Sequence, residues 1–259
     1  MSTRAAKAIA LLFGIACHAT FLAAVASMAW ALFSGMQTGL GSLHGTAAVA
    51  ADLLLLVQFP LLHSFLLSRP GRSVLAHAAP APVGAALRST TYVLVASLQL
   101  LFVFLAWSPS GIVWGQAAGP ARTALCAAFG LSWLLLARSM ANSGLSIQAG
   151  WLGWTSVWRG KAPDYGPMPE RGLFRVCRQP IYVAFALILW TVPTWTPDGL
   201  AVALAWTAYA VVGPRHKEAR YLRLHGATFE AYRRRVPYWL PWPRPVADGS
   251  MATPSPRRR

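Results

Sequence analysis

Apolar residues run along this chain in long unbroken stretches, not at the three-to-four-residue spacing of a half-buried surface helix. Residues 8–33 form one stretch, followed by the small and polar segment 34–45. Residues 46–67, 87–107 and 121–137 form three more. Roughly 20 apolar residues cross the hydrocarbon layer as a helix, so each stretch predicts a transmembrane span, the fourth slightly short. The first is too long for a signal peptide and has no convincing cleavage end, so it is expected to be a span. Residues 180–213 are apolar too, but Pro193, Thr194, Trp195, Thr196, Pro197 and Asp198 interrupt them. That punctuation predicts two spans, 180–193 and 199–213, joined by a tight hairpin. A further helix is expected over 214–235, with Gly226 as a candidate break. The pattern predicts an all-α polytopic integral membrane protein with about six transmembrane helices and a cytoplasmic C-terminal helix.

Composition narrows this further. Of 259 residues, 56% are hydrophobic and 12% charged, and the seven Asp and Glu could not solubilise so large a surface. An ordinary soluble domain is excluded. The net charge of +16 does not mark a nucleic-acid partner, because the basic residues sit between apolar runs and form no single stripe. Arg4 and Lys7 precede the first span. Arg69, Arg72 and Arg88 lie between the second and third. Arg138, Arg159, Lys161, Arg171, Arg175 and Arg178 lie between the fourth and fifth. The intervening loops carry only Arg122, at an edge. Cytoplasmic loops are the basic ones, so both termini are expected in the cytoplasm, and the protein in the cell's inner (plasma) membrane. Residues 1–249 read as one membrane domain in contact with lipid, and 250–259 as a disordered basic tail. Cys17, Cys126 and Cys177 form no CxxC pair, and the first two read as small core residues. No internal repeat is visible, which argues against a secondary transporter.

Ionisable groups inside spans are the usual pointers to function. Here they are His18, Asp52 and His63. They form no HExxH or carboxylate pair, and nothing calls for a metal. The polar residues gather instead on the cytoplasmic side of the last two spans. Arg175, Arg178, Gln179 and Tyr182 approach the membrane before the hairpin, and Glu218 and Tyr232 follow it. The hairpin returns the chain to the same face, so these side chains could line one pocket. Each also has an ordinary role open to it: arginines and tyrosines anchor at the interface, and Glu218 could pair with Arg215 or Arg220.

The string Gly172-Leu-Phe-Arg175-x-x-Arg178-Gln179-Pro180-x-Tyr182, a two-span hairpin, then Glu218 and Gly226-x-x-Phe229-x-x-Tyr232-x-x-x-Val236-Pro237 resembles one family. This is the membrane methyltransferase superfamily of isoprenylcysteine carboxyl methyltransferase and phospholipid N-methyltransferase. Its pattern is approximately G-x-Y-x-x-x-R-H-P-x-Y, a hairpin, then E-E-x-x-L-x-x-x-F-G-x-x-Y-x-x-Y. Leu62-His63-Ser64 through Pro70, Arg88 through Ser97, and Trp107-x-Pro109 resemble the NnrU and methanethiol S-methyltransferase branch. The resemblance covers roughly residues 45–241. It implies that S-adenosylmethionine is the cofactor, held in a cytosol-facing pocket. Arg175, Arg178 and the helix start at Pro180 and Tyr182 would take its carboxylate. Glu218 would take its amine, and Gln179 the ribose or methionyl end. Tyr182, Phe229 or Tyr232 would take the adenine or sulfonium. The acceptor implied is small and apolar or lipid-like: a thiol, an isoprenylcysteine carboxylate or a lipid headgroup. No catalytic base is implied. Gln179 stands where the family has His, and Lys217 where it has the first Glu. The segment 142–151 also departs from the family's His-rich acceptor side. A non-catalytic NnrU-like protein of assembly or transport, or a nicotinamide-dependent lipid reductase of the same fold, remain the alternatives.

Overall fold

The computed structural model describes residues 1–239, which are 75% helical. The expected tail 250–259, and the last two residues of the resemblance, lie outside the described part. Helix α1 spans Thr3–Phe33 and is opened by Ser2, whose Oγ accepts a hydrogen bond from Ala5 N at 3.3 Å. Helix α2 spans Gly45–Leu66, α3 Arg69–His77, α4 Ala81–Ala106 and α5 Gly119–Asn142. Among the described residues four helices, α1, α2, α4 and α5, are long and apolar enough to cross a membrane. Helix α4 begins six residues ahead of the span expected at 87, because Pro82 in its first turn suits a helix start. Two short helices, α6 (Leu145–Gln148) and α7 (Trp151–Arg159), occupy the basic stretch where the pattern marks no span.

The C-terminal part differs from the expected bounds. A 3₁₀ turn, Gly172–Arg175, leads into α8, Pro180–Trp190, which is only 11 residues long. The chain then pairs Thr194–Trp195 antiparallel with Gly115–Gln116, a two-residue ribbon that takes up the hairpin. Helix α9 spans Pro197–Arg235 and continues through Pro214, so the expected division at 213/214 is absent. Pro214 removes one helical N–H but leaves the path intact. The real interruption is Gly226, at φ 48°, ψ −121°, a conformation open in practice only to glycine.

Helix α4 is the axis of the bundle and packs on α1, α2, α3 and α7. Half of its apolar window is buried, against 22% for each of α1, α2 and α5. The outward faces of those three carry Leu12, Leu22, Leu54, Leu61, Leu131 and Leu134, all exposed, a surface suited to lipid. The main core sets Phe104 edge-on to Trp206 with centroids 5.6 Å apart, among Met36, Val103, Ile188 and Val202. Close approach is built from small residues. Thr90 Oγ1 donates to Gly150 O at 2.7 Å and accepts from Trp154 N at 3.0 Å, and a Cβ at Gly153 would lie 2.7 Å from that oxygen.

The ionisable groups inside spans turn out to be braces. His18 Nε2 accepts from Trp154 Nε1 at 3.0 Å, and Asp52 Oδ1 accepts from Ser108 N at 3.1 Å. Cys17 is buried and Cys126 half-buried, in line with packing roles. Asp198, in the first turn of α9, accepts from Gln37 Nε2 at 2.9 Å, Trp107 Nε1 at 3.2 Å, Ser110 N at 3.1 Å and Ser110 Oγ. One carboxylate thus ties the ends of α1, α4 and α9. Asp198→Ala strands those donors and is expected to cost about 2–4 kcal/mol. The check is the thermal midpoint of purified protein in detergent. A midpoint equal to wild type would show that the carboxylate does not hold this end together.

Candidate functional site

At the other end of the bundle a second, partly buried carboxylate organises a different kind of cluster. Arg178 leaves the 3₁₀ turn with its backbone N–H bonded to Pro237 O at 2.9 Å. Its Nε donates to Glu218 Oε1 at 2.8 Å and its Nη2 to Oε2 at 3.1 Å, a bidentate pair with 6% and 12% of the side chains exposed. Its Nη1 donates to Arg233 O at 3.0 Å and Val236 O at 2.6 Å. Gln179, buried at the N-terminal edge of α8, bridges two neighbours. Its Nε2 donates to Glu218 Oε1 at 2.8 Å, and its Oε1 accepts from Lys217 Nζ at 3.2 Å.

The Lys217 ammonium also faces three rings, with centroids at 5.6 Å for Phe174, 5.6 Å for Tyr221 and 6.0 Å for Tyr182. Cation–π contacts of this kind stabilise a desolvated cation without neutralising it. Burial lowers the Lys217 pKa to about 8, with the Glu218 carboxylate opposing the shift and Arg220 adding to it. Burial likewise pushes the Cys177 thiol up, against the pull of Lys217 and Arg178. Beyond Gly226, α9 brings Phe229 and Tyr232 over the cluster. Tyr232 Oη donates to Phe174 O at 2.7 Å, and Tyr221 meets Phe229 edge-on at 5.9 Å. Together these groups enclose a cavity of about 10 Å³, room for about one water.

Of the residues singled out in the sequence, Arg178, Gln179, Glu218, Phe229 and Tyr232 line that cavity. Tyr182 stands one turn into α8, within reach of Lys217. Pro180 is the first residue of α8 and outside the lining. Arg175 is exposed at the end of the 3₁₀ turn and takes no part. Arg178 and Glu218, expected to hold opposite ends of a ligand, hold each other, and Glu218 pairs with neither Arg215 nor Arg220. Lys217, Phe174 and Tyr221 were missed as lining residues. Lys217 stood out as a departure from the family string, and the two aromatics lay unweighted in the segments already flanking the hairpin.

A smaller polar group lies between α2, α4 and α9. Tyr92 Oη and His63 Nε2 are 2.6 Å apart, and Ser64 Oγ and Tyr209 Oη 3.3 Å. A larger cavity, about 610 Å³, is an open apolar furrow at the Asp198 end, between residues 40–43 and α4, with no titratable group.

No family model and no solved structure matches the chain. Curated relatives are. It is 30% identical to methanethiol S-methyltransferase 2 of Bradyrhizobium diazoefficiens over 210 residues, covering 80% of this chain and 76% of the relative. The methanethiol S-methyltransferase of Mycobacterium tuberculosis is 30% identical over 197 residues, 76% of this chain and 79% of its own. That of Crocosphaera subtropica is 27% identical over 244 residues, 91% and 93% of the two chains. At 30% identity to relatives of which it covers 76% and 79%, the chain belongs to the methanethiol S-methyltransferase family.

Proposed function

We propose that this protein is an S-adenosylmethionine-dependent membrane methyltransferase whose acceptor is a small thiol. The observation that carries the reading is the cluster of Arg178, Glu218, Gln179 and Lys217 under an aromatic wall, in a chain whose relatives are named for thiol methylation. The donor set suits the cofactor chemically. Glu218 can accept about four hydrogen bonds and receives three, leaving a position on Oε2 for an amine. The first N–H groups of α8, uncapped by any side chain, and the remaining N–H of Arg178 Nη2 suit a carboxylate. Phe229, Tyr232 and Tyr221 offer faces to an adenine or a sulfonium. Room must come from movement, since the cavity holds about one water. Gly226 is the natural pivot, because the segment beyond it carries both Phe229 and Tyr232 and is held down by Arg178 through Arg233 O and Val236 O.

When bound, the cofactor supplies an electrophilic methyl for in-line displacement. The chain's own residues then hold the two partners in line and exclude water, and the apolar bundle lets a small apolar thiol enter laterally. We also place α8 and α9 as the fifth and sixth crossings, in the plasma membrane, with both termini and the Glu218 cluster on the cytoplasmic side. The one-sided distribution of Arg and Lys supports this topology. Helix α8, about 16 Å long by its rise, would cross with help from the extended residues after it.

Calorimetric titration of S-adenosylmethionine into detergent-purified protein tests the cofactor. Micromolar binding is expected, weakened at least tenfold in Glu218→Gln. The glutamine variant is preferable to alanine, which would leave Arg178 buried and unpaired. Absence of both heat and thermal shift at millimolar cofactor would overturn the reading. Arg178→Met is expected to lower stability by about 3–5 kcal/mol, seen as a loss of folded protein on gel filtration, because it strands the Glu218 carboxylate. A well-folded Arg178→Met protein would show that the ion pair is not structural.

A further inference from the structure

Lys217 is a cation with no carboxylate of its own. The nearest acid, Glu218, is taken by the bidentate Arg178 and by Gln179. Among the described residues the only hydrogen bond of Lys217 is to the neutral Gln179 Oε1. The rest of its surroundings are three aromatic faces, and it lines the cavity. Burying an ammonium this way is costly unless an anion completes the site. Gln179 and Lys217 are also two of the places where this chain departs from the family string, and the structure puts them in contact. The two departures are one coupled feature. Gln179 can accept from Lys217 with one end while donating to Glu218 with the other, which a charged His could not do.

We propose that Lys217 takes the proton of the acceptor thiol and holds the resulting thiolate before the methyl donor. The proposal rests on the thiol methyl transfer argued above and names the group that activates the thiol. The balance is simple. The neutral amine of Lys217 gains an N–H bond as the acceptor's S–H bond breaks, giving an ammonium–thiolate pair. A sulfur lone pair then forms the new S–CH₃ bond as the donor's S–CH₃ bond breaks and its electrons return to the donor sulfur. The proton leaves Lys217 for solvent before the next turnover. The lowered Lys217 pKa suits a group that must give up and regain a proton near neutrality. The groups facing it are Gln179 and Tyr182 from α8, Cys177 and Arg178 from the preceding turn, and Glu218, Arg220 and Tyr221 from α9. Of these, Glu218 is held by Arg178 and burial pushes the Cys177 thiol up, so a bend near pH 8 is expected from Lys217.

The test uses full-length protein in detergent, S-adenosylmethionine and methanethiol. Lys217→Met keeps the stem and removes the amine. It is expected to bind S-adenosylmethionine within about threefold of wild type, which also shows that it folds. Its kcat/KM for methanethiol at pH 7 is expected to fall at least tenfold. Wild type should show a rate limb that bends near pH 8, and Lys217→Met one that climbs through that point without a break. Lys217→Arg, which keeps the charge but cannot release a proton, should also lack the bend, and it carries the test if the methionine variant does not fold. An unchanged pH profile overturns the proposal. So does a tenfold loss of S-adenosylmethionine affinity in Lys217→Met, which would assign the ammonium to the donor's carboxylate. Wild type that binds no S-adenosylmethionine sinks this proposal and the parent reading together, whereas binding and turnover with an unaltered Lys217→Met profile sinks this one alone.

Discussion

The bidentate pair between Arg178 and Glu218 is the constraint on which the C-terminal half depends. Taking both charges out of water costs several kcal/mol per ion, and the arrangement survives because few of their hydrogen-bonding positions are wasted. Two guanidinium N–H groups go to Glu218, and two more to Arg233 O and Val236 O. Those carbonyls lie at the end of α9, where helical carbonyls have no partner of their own. A single side chain therefore closes the hairpin between α8 and α9, caps the end of α9, and holds Glu218 in place. The cap is reachable only because Gly226 turns the helix. Without that turn residues 227–235 would run on along the axis of α9, and Phe229 and Tyr232 would not cover the cluster.

Asp198 and Glu218 stand near opposite ends of the same bundle and illustrate what separates a brace from an acid with room for a ligand. Asp198 receives four hydrogen bonds from elements far apart in the chain, so its capacity is filled. Glu218 receives three and borders a cavity in which the neighbouring cation has no acid of its own. Burial alone does not distinguish the two. Spare hydrogen-bonding capacity and an uncompensated charge do, since both are unfavourable unless a ligand uses them.

The membrane shapes the rest. Lipid cannot satisfy backbone polar groups, so the long apolar stretches have little choice but to be helices, and α1, α2, α4 and α5 were legible from the hydrophobic runs alone. Their polar residues face inward to brace one another, as with His18 on Trp154 and Thr90 on Gly150. The hairpin at Pro193–Asp198 was legible too, because proline and threonine at that density interrupt any helix, though not the ribbon it makes with Gly115–Gln116.

Residue types and spacing thus determined the class of the protein, its four long helices, and the segments that would supply a site. They did so because helix formation in lipid is a local consequence of apolar length. They marked Gly226 as a candidate break but did not determine the shortness of α8 or the continuity of α9 through Pro214. Nor did they show that Arg178 would spend itself on Glu218, or that Arg175 would stand outside and Lys217 inside. Those outcomes depend on which donors reach which acceptors across about 40 residues of intervening chain. Only the packed structure decides that, because a charge buried in a bundle must take whichever partners the neighbouring helices bring to it.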